Sequence, residues 1–202
     1  MIYTLLKFVH VLGAILIGGG LIGVWISDLR SRQVRELPQI AEAVRSIAVF
    51  YDGVVVPGAL LLLASGTWLI VRFFGGWDFA GTPWLAGMVA LFVFEFVEGN
   101  TVTRLYFIRL RRLTREALSA GVITPELEKA RAEHLPTFTH FLDLPMLFVI
   151  VALGVIKPTT WMLFIFGTVV AIVSAGFLTL LVPRLHPWNS KTVNRSPQTT
   201  GP

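Results

Sequence analysis

Seven ionisable side chains stand inside stretches of this chain that are otherwise apolar: His10, Asp52, Glu95, Glu98, Arg104, His140 and Asp143. In a bilayer such groups are costly, and by default they mark a functional site or a buried partner. Glu95 and Glu98 are three residues apart and share one face of a helix. Two bare carboxylates near mid-membrane are implausible, so at least one is expected to be protonated or paired. A proton relay or a cation site would use them. The structural alternative is a hydrogen-bonded pair with Arg104, His10 or a neighbouring helix. His140 and Asp143 also share a face, and with Asp52 and Glu98 they are expected to line one inner, partly hydrated cavity. Proton handling is thus assigned to Glu95, Glu98, Asp143 and His140.

His10 carries a different chemistry. Gly13, Gly18, Gly19, Gly20 and Gly23 follow it, and His10, Gly13, Ile17 and Gly20 fall on one helical face. A histidine on a face smoothed by glycine offers a flat macrocycle an axial nitrogen and no obstructing side chains, so a haem is the expected cofactor, with His10 on the iron. His10 lies about 10 Å below the outer surface by helix rise. His140 lies roughly 15–20 Å from it along the axis, too far to share one haem, so the second position is either open or taken by another group, for which Met88 is the candidate. The competing reading is that the glycines are helix-packing sites, as Gly19-x-x-x-Gly23 suggests, and that Met88 is ordinary packing.

These residues must be held by helices that cross lipid. Hydrophobic residues make up 54% of the 202 and charged residues only 14%, against about 25% charged in a soluble domain. The mean hydropathy is +0.73. A spanning helix needs roughly 20 apolar residues, and five stretches qualify: 3–26, 51–74, 83–106, 138–156 and 160–182. Continuous apolar runs without period-two alternation argue against a β-barrel. The fold class is therefore all-α, a polytopic bundle of five transmembrane helices in one domain, 1–188, with a polar tail at 189–202 expected to be disordered. The apolar N-terminal run is too long for a signal peptide and is read as a retained helix.

Lysine and arginine orient the bundle. Fourteen of them fall on one side, from Arg30 to Arg195, and only Lys7, Arg72 and Lys157 on the other. The positive-inside rule then puts the N-terminus outside and the C-terminus in the cytoplasm. The same distribution explains a sequence pI of about 10.1 without a nucleic-acid partner, for which no recognition motif is present. The chain contains no cysteine, which excludes disulfides, thiolate metal sites and iron–sulfur clusters. Between the third and fourth spans, 106–134 reads as helix lying on the membrane surface or extending the third span. Thr124-Pro125 marks a helix start, with Thr124 as N-cap. Lys157-Pro158-Thr159 is expected to reverse the chain between the last two spans.

Several short motifs occur in the order found in a known family. Lys7-Phe8-Val9-His10-Val11-Leu12-Gly13 resembles the K-x-x-H-x-x-G opening of HemJ-type protoporphyrinogen oxidases and of related small integral-membrane proteins of unassigned function. Val56-Pro57-Gly58, Ser65-Gly66, Pro83-Trp84-Leu85, Asp143-Leu144-Pro145 and Val155-Ile156-Lys157-Pro158 continue the resemblance to about Trp161. It implies contact of His10 with haem b or a porphyrin, and a place for Asp143 near the reaction. Two elements depart from the HemJ pattern. Ile22 to Arg30 replaces Y-L-P-R-L-F, and Ala86 and Met88 stand where H-x-K is expected. The unassigned membrane family is the fuller match.

The reading carried forward is a haem- or porphyrin-linked redox protein of the bacterial inner membrane, with His10, Gly13, Gly20 and Met88 holding the cofactor. The expected partners are the lipid bilayer, a quinone or porphyrin, and a second copy in a homodimer. A non-enzymatic scaffold and a small proton or ion conduit through Glu95 and Glu98 are the alternatives.

Overall fold

The structure is a computed structural model that describes residues 1–34 and 36–185. The expected tail at 189–202 lies outside the described residues. Helix α1 spans Ile2–Gln33. Helix α2, Leu37–Phe50, runs through a π turn at Tyr51–Val55 into α3, Val56–Phe73. A 3-10 turn at Gly76–Gly81 leads to α4, Pro83–Glu98, which runs through a second π turn at Gly99–Thr103 into α5, Arg104–Ala120. Short α6, Pro125–Arg131, precedes α7, His134–Ile156, and α8, Met162–Leu185. No strand occurs among the described residues. Among the described residues, five helical rods are long and apolar enough to cross a membrane.

The rods are longer than the apolar runs that reveal them. The second span begins at Leu37 rather than 51 and comprises 37 residues, and the third comprises 38. At 1.5 Å per residue each is about 55 Å long, well beyond the roughly 30 Å of hydrocarbon. Their surplus, with the end of α1 and α6, folds outside the apolar band as a small layer with its own core. Ile40, Val44 and Ile47 of α2 pack there with Tyr106, Phe107 and Leu110 of α5 and Leu127 of α6. This settles the 106–134 segment: it extends the third span through α5, then turns at Gly121, whose φ of 69° closes α5 in the left-handed region. Thr124 caps α6 as its sequence suggests, accepting from the Leu127 N–H at 3.3 Å.

Within the apolar band α7 is the central helix. Of its apolar window 61% is buried, against 22–28% for the other four. On one side it packs with α4 and α8 through Leu91, Met146, Leu153 and Ala175. On the other it meets α1 and α3 through Ile17, Leu62, Leu144 and Leu147. Large apolar side chains such as Phe8, Ile15, Trp68, Phe148, Phe166 and Phe177 remain exposed around the bundle, as a lipid-facing surface requires.

Glycine brings α1 and α3 together. A Cβ at Gly13 would lie 2.9 Å from the Gly58 carbonyl oxygen, and one at Gly20 would lie 2.6 Å from Val55 Cγ2. The small-residue packing rule for membrane helices applies here, through Gly13, Gly20 and Gly58. Gly23 meets the Phe50 ring, whereas Gly19 has open space around it. The reversal after α7 turns on Lys157, at φ 51°, with its Nζ 5.2 Å from the centre of the Trp84 ring. Helix α7 ends at Ile156 and the next helix starts at Met162, so the reversal runs through Lys157-Pro158-Thr159 as expected and on to Trp161.

Candidate functional site

Two buried polar groups sit on α7, one turn apart. The first gathers Glu95 and Glu98 of α4 with Asp143 of α7. Their carboxyl groups act on one another directly, and Tyr51 lies within the field of all three. Asp143 is 4% exposed and Glu98 8%. Glu98 Oε1 accepts a hydrogen bond from Thr103 Oγ1 at 2.8 Å, and Thr103 Oγ1 lies 3.1 Å from Thr139 Oγ1. One oxygen on each acid, Glu95 Oε1, Glu98 Oε2 and Asp143 Oδ2, is buried with no hydrogen-bond partner among the described residues. Three carboxyl groups so placed cannot all be charged without a compensating cation.

Beside them is a cavity of about 120 Å³ between α1, α3, α4 and α7, to which Tyr51, Glu95, Asn100 and Asp143 supply the polar lining. It is polar and roomy enough to hold water. Both π turns border it. Tyr51, the first residue of one, donates to the carbonyl of Gly99, the first residue of the other, at 2.8 Å. Such turns interrupt α-helices frequently at functional sites.

The second group lies at the basic end. Asp28 Oδ2 pairs with Arg32 Nε at 2.8 Å. Arg131 of α6 donates from Nη2 to the Ser31 carbonyl at 3.0 Å. Burial lowers the Arg131 guanidinium to a pKa of about 10, against the opposing pull of Asp28. His140 is 1% exposed, enclosed by Trp25, Phe107 and Phe141, with Nε2 3.9 Å from Asp28 Oδ2. Trp25 Nε1 donates to the His140 carbonyl at 3.1 Å, tying α1 to α7.

The sequence expectation of one cavity lined by Asp52, Glu98, His140 and Asp143 is therefore divided by the structure. Asp143 joins Glu95 and Glu98. His140 faces Asp28 instead, because residues three apart on a helix differ by about 60° in direction. Asp52 leaves both groups and pairs with Arg104 at 3.0 Å, where the two side chains are about 40% exposed. Sequence reasoning missed Tyr51, Thr103 and Thr139, and also Asp28. Only Asp28 carried a signal, its i,i+4 spacing to Arg32.

His10 stands apart from all of these. Its Nδ1 lies 3.1 Å from Ser65 Oγ on α3. Ser65 commits its own proton to the Leu61 carbonyl at 2.5 Å, so Nδ1–H is the donor. His10 Cε1 would be 3.1 Å from a Cβ at Gly66. Met88 is elsewhere, with its sulfur packed on Gly154 of α7. The glycine face expected to cradle a macrocycle is covered by α3 at Gly13 and by the first π turn at Gly20. A haem lying flat on that face does not fit this arrangement, and His10 and Met88 are not brought together.

No curated protein and no solved structure matches the chain. One family model does, over residues 4–158, from the first helix to the reversal after α7. With more than three-quarters of its length matched, this chain belongs to the family described as "Predicted integral membrane protein (DUF2269)".

Proposed function

We propose that this integral membrane protein takes up and releases protons inside the bilayer, at Glu95, Glu98 and Asp143, as a small proton conduit. One observation carries the reading: three carboxyl groups, each with a buried and unpartnered oxygen, lie together, and two of them, Glu95 and Asp143, line a cavity able to hold water. Carboxyl groups that share protons in a dry interior are the working parts of intramembrane proton relays. Among the described residues no three His, Asp or Glu side chains are disposed to hold a metal ion together, which favours the proton over a divalent cation. The basic layer of α2, α5 and α6 faces the cytoplasm of a bacterial inner membrane under the positive-inside rule, with the N-terminus outside.

A haem b or porphyrin function of the HemJ kind rests on His10 and on motif resemblance. It would require α1 to part from α3 at Gly13 and from the first π turn at Gly20, and for that reason the proton reading is preferred. The test is proton flux into liposomes holding a pH-sensitive dye, driven by a potassium diffusion potential. Reconstituted protein is expected to exceed empty liposomes, and Asp143→Asn or Glu95→Gln to remove most of the excess. Wild-type flux equal to that of empty liposomes sinks the reading.

A further inference from the structure

The hydroxyl groups behind Glu98 make three contacts with two protons. Thr103 Oγ1 is 2.8 Å from Glu98 Oε1 and 3.1 Å from Thr139 Oγ1. Thr139 Oγ1 is in turn 3.2 Å from the Pro136 carbonyl oxygen. Each hydroxyl donates once. Thr103 is fully buried, Thr139 and Glu98 nearly so, so bulk water does not make up the difference. This chain lies off the cavity, whose lining includes Glu95 and Asp143 but not Glu98.

Two arrangements satisfy the count. With Glu98 ionised, Thr103 donates to Oε1 and Thr139 donates to Thr103. With Glu98 neutral and its proton on Oε1, Glu98 donates to Thr103, Thr103 to Thr139, and Thr139 to the Pro136 carbonyl. Every donor has an acceptor in both states.

We propose that Thr103 and Thr139 are positioning residues whose hydrogen bonds reverse direction with the protonation of Glu98, so that its Oε1 keeps a partner with or without the proton. The proposal rests on the proton-handling reading and deepens it. In the transfer it serves, an O–H bond breaks on Glu98 as one forms on Glu95 or Asp143, or the reverse. The threonines keep their own protons and only turn. A fixed donor in their place would satisfy Oε1 only while it carries no proton, and would set two protons against each other when it does, leaving a buried unmet donor that costs more than a hydrogen bond returns.

Infrared difference spectra of the reconstituted full chain, taken between high and low pH, test this alongside the flux assay. The carboxylic acid C=O band that vanishes in Glu98→Gln belongs to Glu98. In Thr103→Val that band is expected to move to higher frequency, because the neutral acid has lost its acceptor. Flux is expected to fall about tenfold or more, the equivalent of one lost hydrogen bond to a charged group. Thr103→Ser should restore both band and flux. If Thr103→Val does not fold, Thr139→Val gives a smaller shift of the same sign. A Glu98 band that is absent at every pH, or that stays in place in Thr103→Val and Thr139→Val, overturns the proposal whatever the flux. A band that moves while wild-type protein carries no flux upholds the hydrogen-bond reversal and overturns the conduction reading alone.

Discussion

The Tyr51 hydroxyl donates to the Gly99 carbonyl at 2.8 Å, joining the π turns of two different spans across the head of the acidic cavity. A Cβ at residue 99 would lie 2.8 Å from that same hydroxyl oxygen, so the bond requires glycine there. Gly99→Ala is expected to destabilise the protein by about 1–3 kcal/mol through overpacking, and Tyr51→Phe by about 1 kcal/mol through the lost bond. Because Phe removes the atom that the new methyl would strike, the double variant should be more stable than the two losses summed. Thermal unfolding in one detergent checks this; simple additivity would show that the turns are not coupled through this contact.

Two ion pairs of similar length should behave very differently. Asp28–Arg32 is buried, with side-chain exposures of 4% and 11%, whereas Asp52–Arg104 is about 40% exposed on both partners. Asp28→Asn strands buried Arg32 and disturbs the layer around Arg131, and should cost about 3–5 kcal/mol. Asp52→Asn should cost less than about 1 kcal/mol. Equal losses in the unfolding midpoint would contradict the burial difference.

The close approach of α1 and α3 gives a third expectation. Gly13→Ala places a methyl 2.9 Å from the Gly58 carbonyl and should destabilise by about 1–3 kcal/mol. The same closeness excludes a macrocycle from that face, so protein purified in mild detergent should show no Soret band. A Soret band that His10→Ala abolishes would mean that α1 and α3 separate to admit haem.

Orientation can be read by chemical labelling, because the chain has no cysteine of its own. Gly81 and Ser119 are exposed at opposite ends of the third span. In intact cells a membrane-impermeant maleimide should modify Gly81→Cys and spare Ser119→Cys until the membrane is opened. The reverse pattern would invert the topology.

The five spans were legible because hydropathy reports burial in lipid, and Thr124 because a capping side chain leaves a local signature. Helix α2 was not. Its apolar residues are spaced for one face only, so no continuous run announces it, and its partner α5 is remote in sequence. Asp28 was overlooked for a related reason: a helix expected to stop at Ile26 leaves it in a loop, whereas α1 runs on to Gln33 and buries it. Glu95, Glu98 and Asp143 were visible as charges in apolar runs. Their grouping depended on the rotation of α7 against α4, which no local pattern encodes. The hydroxyls of Tyr51, Thr103 and Thr139 looked like ordinary residues because only tertiary contact gives them a role.

The π turns also bear on how this sequence can change over time. Each holds one residue more than α-helical winding would over the same turn, the usual form of a π bulge. Deleting a single position within Tyr51–Val55 or Gly99–Thr103 would let the rod rewind as α-helix with its two ends facing nearly as before. The apolar stripes of α2 and α5 would keep their shared core. What would go is the widened turn that aims the Tyr51 hydroxyl at the Gly99 carbonyl. Descendants of this chain that lose one residue at either turn should therefore keep the scaffold and lose the bridge across the cavity.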